Sequence, residues 1–420
     1  MPQKLIIFDA TLFVNAYETQ LFRTGLYRVS EQLLKQLLLA GKYDIRLYDT
    51  LGRGRIMRQQ IMPQYPQTQL LDTDSRAYQF LTDKPLMYAD RLRKKQMATT
   101  NKVAKTWYKF GKNILRIYAK IIHRLCPQMT LSLPTDAHYL ATYYPIPEWV
   151  HSYGLTATLI VHDLIPIRHP EWFASEANKH TITTIMNSVF PSDRVVCVSE
   201  STRRDFLAFR CDFPQEHTYV AHLAAAEVFV PTPLSEVLRT RWGISGLYIL
   251  SVCTIEPRKN LETVISAYTM LLQAQTDVPQ LVLTGAVGWK NTALLHQIED
   301  IQKQYPGKII LTGYAADTEL AQLYSNASVF VYPSLYEGFG LPPLEAMQCG
   351  CPVITSNVSS LPEVVGSAGI TIEPTNANAL AEAIQQLLNG NCEQQKQQAL
   401  FRAGYFSWQR MANIVEQTID

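Results

Sequence analysis

No stretch of the 420 residues offers eighteen consecutive uncharged apolar side chains, so a helical membrane span is not expected. The opening MPQKLIIFDA turns polar by Asp9, which is too short an apolar run for a secretory signal. Cysteine is sparse and unpaired: Cys126, Cys197, Cys211, Cys253, Cys349, Cys351 and Cys392 form no CxxC pair and no zinc-ligand spacing with nearby histidines. Free thiols in a reducing compartment follow, and the expectation is a cytoplasmic protein. The formal net charge is only +2, which argues against nucleic acid as a partner. Solenoid repeats and long low-complexity tracts are also missing. One absence is local: from Arg91 to Arg124 there is no acidic residue, against eleven lysines and arginines.

The length exceeds a single ordinary core and suggests two domains. KLIIFDA (Lys4 to Ala10) reads as a strand, and TGLYRVSEQLLKQLLLAG (Thr24 to Gly41) as an amphipathic helix opened and closed by glycine. The strand-then-helix pattern returns at TATLIV before HDLIP, and at RVVCV before SESTRRDFLAF, where Ser199 is placed to cap a helix. AEVFVPTPLSEV brings prolines and no period, so a boundary is expected there, between a doubly wound domain at 1–228 and a second at 229–403. LYILSVC, QLVLTG, KIILTG, ASVFVYPS and CPVITS then alternate with helical segments, which predicts an α/β fold with parallel sheets. Ligands of such sheets bind beyond the carboxyl ends of the strands, where Gly25, His162, Arg258 and Glu337 all fall.

YEGFGLPPLE (Tyr336 to Glu345) sets two acids around two glycines and two prolines at a strand-to-helix turn. Pro342 and Pro343 suit a first helical turn, which Glu345 would share. The bare backbone at Gly338 and Gly340 and the helix dipole favour phosphate, while ionised carboxylates accept from hydroxyls. A ligand with phosphates flanked by polyols, a nucleotide sugar, fits both; a plain strand-to-helix turn with solvent-facing glutamates fits the spacing equally. EPRKN carries Arg258 and Lys259 ahead of Asn260, a helix N-cap position, and two fixed cations there can neutralise a diphosphate without a metal. His162, with Asp163 beside it, follows an apolar strand and is a candidate for the reacting centre, against a purely structural role. Asp72 and Asp74 have a DxD spacing, but no strong strand precedes them, and no metal site is expected.

Along the acid-free segment Val103, Trp107, Phe110, Ile114, Ile117, Tyr118, Ile121 and Leu125 share one helical stripe, with Lys105, Lys109, Lys112, Arg116 and Lys120 opposite. Two readings stay open: a stripe packed on the domain core, or one resting on an anionic membrane surface.

Taken together, TGLYRV, VHDLIPIRHPEWF, VCVSESTRRDF, EPRKN, LTGYAADTELAQLYSNASVFVYPS and EGFGLPPLEAMQCGCPVITSNVSSLPEVVGSAGI resemble bacterial retaining glycosyltransferases of family 4. The likeness extends along almost the whole chain and is weakest between about Gly52 and Pro134; Glu337 and Glu345 match the family's E-x7-E signature. It implies the GT-B fold, two facing Rossmann-like domains with a cleft between them, and a C-terminal helix at about 404–420 resting on the N-terminal domain. It implies that Glu337 contacts the donor sugar and Glu345 the ribose, and that backbone N–H groups around Gly338, Phe339, Gly340 and Leu341 hold phosphate and sugar. Arg258 and Lys259 would stabilise the departing diphosphate, Tyr314 would lie near the base, His162 would border the reacting sugar, and Gly25 would let the first loop approach it. There are two departures. Cys253 stands where many members carry a basic residue, leaving Arg258 to serve, and Tyr27 stands where a small residue is common.

The resulting expectation is a metal-independent, cofactor-free transferase that moves mannose or a similar sugar to a glycan or polyprenyl-linked acceptor. It would be cytoplasmic or peripheral on the inner membrane face. A nucleotide-sugar epimerase or phosphorylase of the same fold, revealed by free isomer or phosphate-dependent cleavage, is the second reading. A non-catalytic membrane-surface subunit, revealed by vesicle binding without turnover, is the third.

Overall fold

Parallel strands covered by helices on both faces must be apolar throughout, and the strands of this chain are. The computed structural model describes residues 3–19, 25–71, 85, 87–89, 91–92, 95–96, 98–99, 101–125, 131–173, 175–274, 277–289 and 291–420. Asp72 and Asp74 lie outside the described residues. Two compact units are present, one of Met1–Ser30, Leu37–Leu140 and Pro147–Thr156, the other of Glu31–Gln36, Ala141–Ile146 and Ala157–Asp420.

In the first unit β1 (Lys4–Asp9), β2 (Tyr43–Tyr48), β3 (Gln69–Leu70) and β4 (His138–Ala141) lie in the order β3-β2-β1-β4. Ile6 pairs with Ile45 on one side and His138 on the other, all parallel. The helix between β1 and β2 runs from Gly25 to Ala40 and ends at Gly41, whose φ of 65° is the left-handed conformation that stops a helix. The acid-free segment forms the helix Lys102–Leu125.

The second unit contains β5 (Thr156–Val161), β6 (Arg194–Cys197) and β7 (Thr218–Val220), parallel and side by side. It also contains a six-stranded sheet of β8 (Tyr248–Val252), β9 (Gln280–Thr284), β10 (Ile309–Gly313), β11 (Val329–Tyr332), β12 (Val353–Ser356) and β13 (Ile370–Ile372). Its order is β10-β9-β8-β11-β12-β13, the doubly wound order that reverses between its first and fourth strands. Ile249, Val264, Ile265, Leu281, Ile298, Val329, Ile354 and Ile384 form its core, fully buried between sheet and helices. Residues 221–235, where the sequence brings prolines, hold no regular element. The C-terminal helix Trp408–Ile419 buries Trp408, Met411, Val415 and Ile419, and its Thr418 hydroxyl meets that of Thr158 on β5 at 2.8 Å. Two Rossmann-like parallel sheets thus make up an α/β fold of the GT-B type.

Candidate active site

The second sheet reverses its winding between β8 and β11, and the polypeptide leaving these two strands builds the site. After β8 comes Thr254–Asn260, ending in the tight 3-10 turn Pro257–Lys259. After β11 come Pro333 to Gly340 and then the helix Leu341–Gln348. The two segments are tied by a backbone bond: the Leu335 N–H donates to the Arg258 carbonyl at 2.9 Å, and the Ser334 hydroxyl oxygen lies 3.1 Å from the same carbonyl. Asn260 does precede the helix Leu261–Ala274, but its side chain does not cap it. Its amide N–H groups go to the Pro333 and Pro374 carbonyls, and its Oδ1 accepts from the Thr263 hydroxyl, so it joins three turns instead.

Glu337 is the electrostatic centre. Its Oε1 accepts from Lys259 Nζ at 2.5 Å, from the Tyr332 hydroxyl at 2.8 Å and from the Ser334 hydroxyl at 2.7 Å; its Oε2 accepts from Arg258 Nη1 at 2.6 Å. Burial opposes the charge on this carboxylate, but the positive charges of Arg258 and Lys259 outweigh it and hold its pKa at about 2. Arg258 is correspondingly raised above the usual guanidinium range, since Glu337 and Glu256 more than offset its desolvation. Cys253 adds no charge, because burial pushes its thiol up to about 12.

The two glycines of the turn are required by the chain's own packing. A Cβ on Gly338 would stand 2.1 Å from the His162 carbonyl oxygen, and Gly340 has φ of 110°, which L side chains rarely adopt. Packing is thus a reason for both glycines that stands beside the ligand approach expected of them. The Gly338 carbonyl accepts from the Ser199 and Thr202 hydroxyls at 2.6 and 3.0 Å, and the Ser360 hydroxyl bonds the Glu337 and Phe339 carbonyls. Ser199 also caps the helix Glu200–Phe209, accepting from Thr202 N–H.

Leu341 is the first helical residue, one earlier than the prolines alone suggest. Glu345 is therefore the fifth residue and lies just past the first turn, because the left-handed Gly340 already ends the loop. It is buried and accepts from the Tyr324 hydroxyl at 3.3 Å. His162 Nε2 lies 2.8 Å from the Thr142 carbonyl; since a carbonyl only accepts, Nε2 carries the proton and Nδ1 is the acceptor. Desolvation lowers the ring's pKa to about 4, so it is neutral near pH 7. Asp163 bonds the Ile165 N–H at 3.0 Å, fixing the turn after β5.

His162, Arg258, Lys259, Glu337 and Gly338 are thus brought together. Tyr314, after β10, is 67 % exposed. Gly25 and Tyr27 belong to the first unit, where the Tyr27 ring meets Phe13 edge-on. Sequence reasoning passed over Tyr332, Ser334 and Glu256, although Tyr332 and Ser334 lie within a recognised strand segment and Glu256 within a quoted motif. A tyrosine in an apolar run reads as core, and only the fold turns its hydroxyl onto Glu337. Among the described residues no group of His, Cys, Asp and Glu could hold a metal ion, and no helix is long and apolar enough to cross a membrane.

Residues 240–403 match the family described as glycosyl transferases group 1. The O-antigen chain mannosyltransferase B of Escherichia coli is 34 % identical over 273 residues, 63 % of this chain and 69 % of the relative. The serotype-specific mannosyltransferase WbdA of the same organism is 26 % identical over 348 residues, 80 % of this chain but only 42 % of the longer relative. A GDP-mannose-dependent α-(1-6)-phosphatidylinositol dimannoside mannosyltransferase of Mycobacterium tuberculosis is 26 % identical over 289 residues, 66 % of this chain and 71 % of the relative. Among solved structures, sucrose-phosphate synthase of Thermosynechococcus elongatus superposes with a TM-score of 0.60 at 20 % identity, covering 99 % of this chain and 98 % of that one, which establishes the shared fold. The chain belongs to the glycosyl transferases group 1 family.

Proposed function

We propose that this chain transfers mannose from GDP-mannose to a hydroxyl of a glycan or lipid-linked glycan acceptor, with retained anomeric configuration and without a metal ion. One observation carries the reading: two cations, Arg258 and Lys259, stand at the winding reversal of the donor-type sheet beside a helix N-terminus, where they can take up the charge of a leaving diphosphate. The mannose and the GDP are supported by the activities for which the relatives are named. Glu337 and Glu345 address hydroxyls of the sugar and ribose. Backbone N–H groups of Gly338, Phe339, Gly340 and Leu341 meet phosphate and sugar, and Tyr314 lies toward the base. His162, neutral, borders the sugar. Glu337 is saturated with donors, which disfavours a glycosidase-like attack by this carboxylate. Front-face substitution fits better: the C–O bond to the leaving phosphate breaks, the acceptor oxygen bonds the same face, and the acceptor proton passes to the leaving phosphate.

Thermal melting against GDP, UDP, ADP and dTDP, with and without EDTA, tests this. Stabilisation by GDP alone that survives EDTA is expected; no shift with any nucleotide, or one abolished by EDTA, sinks the donor reading.

The same proposal includes an anionic membrane face as partner. In the helix Lys102–Leu125 the residues Val103, Trp107, Phe110, Ile114, Ile117, Tyr118 and Ile121 are between 39 and 70 % exposed, and Lys105 and Lys109 are also exposed. A stripe that open is not packed on a core. Insertion of its aromatic side chains, with ~1 kcal/mol from each basic residue near anionic lipid, would hold a cytoplasmic enzyme at its acceptor. Vesicles containing phosphatidylglycerol should sediment the wild type, phosphatidylcholine alone should not, and Trp107→Ser/Phe110→Ser should lose the binding. Equal sedimentation of wild type and variant overturns it.

A further inference from the structure

Arg258 is held by two carboxylates, and only one of them belongs to the donor-site signature. Its Nη1 donates to Glu337 Oε2 at 2.6 Å and to the Tyr336 carbonyl at 2.9 Å, while its Nη2 donates to Glu256 Oε1 at 2.9 Å. Glu256 is as buried as Glu337, each about 8 % exposed, and among the described residues its carboxylate takes no other partner than Arg258. It enters from the extended residue that precedes the turn Pro257–Lys259, whose Lys259 N–H bonds the Glu256 carbonyl at 3.0 Å. Its backbone is therefore fixed independently of its side chain.

The state of Glu337 gives this second carboxylate a purpose. A carboxylate has about four acceptor sites, and Glu337 already accepts from Lys259, Tyr332, Ser334 and Arg258. A sugar hydroxyl can reach it only if one donor leaves. Three of the four crowd Oε1; among the described residues Arg258 is the sole donor to Oε2, so its departure frees a whole oxygen. Two carboxylates also balance the two cations, so the centre without ligand carries no net charge from these four groups. A guanidinium released from Glu337 would, without Glu256, keep only the uncharged Tyr336 carbonyl as a partner.

We propose that Glu256 is the positioning residue that keeps Arg258 in place while Arg258 exchanges Glu337 for a phosphate oxygen of the donor, releasing Glu337 to the sugar. The inference rests on the donor reading given above for this site. Glu256 touches no substrate and acts through Arg258 alone. The exchange couples the two halves of donor recognition: phosphate arrival opens the sugar-binding carboxylate.

The test compares Glu256→Gln and Glu256→Asp in the wild-type and Arg258→Lys backgrounds of the full chain. With GDP-mannose, Glu256→Gln should lower kcat by on the order of tenfold, while GDP binds as tightly as to wild type or more tightly, because one negative charge has left the centre. Glu256→Asp should fall between, and neither change should matter once Arg258 is lysine. A kcat within twofold of wild type, or a loss shared equally by kcat and GDP affinity that persists in the Arg258→Lys background, overturns the proposal. A second readout needs no ligand. In side-chain ¹⁵N spectra the Arg258 Nε–H signal, assigned by its loss in Arg258→Lys, should broaden or shift in Glu256→Gln; an unchanged signal also overturns the proposal. Should GDP fail to bind the wild type, the donor reading fails, and the spectra still decide whether Glu256 restrains Arg258.

Discussion

Each of the two units carries a buried carboxylate at or just past the carboxyl end of a strand at a reversal of sheet winding: Asp9 closes β1 beside β4, and Glu337 follows β11 beside β8. Their protonation is driven in opposite directions. Desolvation raises Asp9 to about 7, and the Thr11 N–H bond at 2.9 Å and the more distant Arg53 do not compensate. Arg53 is committed elsewhere, to Asp49 at 2.7 Å and Glu18 at 3.1 Å, and Asp9 Oδ2 has no hydrogen-bond partner among the described residues. Glu337 suffers the same desolvation, yet Arg258 and Lys259 hold it at about 2. Burial is common to both, so the difference lies in where the cations go. The shifts correspond to roughly 3 to 5 kcal/mol between protonation states. One strand end holds a carboxylate kept ionised by two cations; the other holds a carboxyl kept close to neutrality.

The sharpest break between them should be in turnover. Glu337→Ala and the pair Arg258→Ala/Lys259→Ala should each cut mannose transfer by on the order of 10³-fold, whereas Asp9→Asn should stay within about threefold of wild type. Near-normal turnover in either of the first two would remove the assignment of the centre. A smaller contrast is expected in stability at pH 8. Glu337→Ala leaves two partly buried cations short of a partner and should cost about 3 kcal/mol in urea unfolding, while Asp9→Asn removes an uncompensated charge and should be neutral or stabilising by about 1 kcal/mol.

The smallest and most diagnostic contrast is in pH. Glu337 is depressed in the folded state, so its stabilisation is present above about 4.5 and is lost as pH falls toward 2. Asp9 is raised, so its contribution is present below about 3.8 and is lost as pH rises toward 7. His162 is depressed from 6.5 to about 4, so it withdraws stability as pH falls through that window. Urea midpoints of wild type and Asp9→Asn should therefore separate progressively from pH 4 to pH 8; parallel curves would show that Asp9 is not perturbed.

Much of the second unit was legible in the residues. Its apolar runs lie on β8 to β12 within a residue or two, because a strand buried on both faces leaves no other reading of a short β-branched run. In the first unit Tyr43–Tyr48 and His138–Ala141 escaped notice, since YDIRLY alternates polar with apolar and HYLA is only four residues long. The site was half legible. Arg258, Lys259 and Glu337 announced themselves by charge near glycine and proline, while Glu256, Tyr332 and Ser334 did not. The function of those three depends on partners two to five residues away, Arg258 for Glu256 and Glu337 for Tyr332 and Ser334, which only the folded turns bring within hydrogen-bond distance.

By itself, then, the order of residues determined the parallel strands, the turn that begins the helix at Leu341, and a 24-residue amphipathic helix, because these depend on local period and local chemistry. Only the tertiary structure decided that four donors converge on one carboxylate, that Gly338 is bare to admit the His162 carbonyl, and that the apolar stripe of the basic helix is exposed. Those outcomes depend on which strand lies beside which. Charge and exposure are properties of neighbours in space, and the chain acquires those neighbours only when the sheets form.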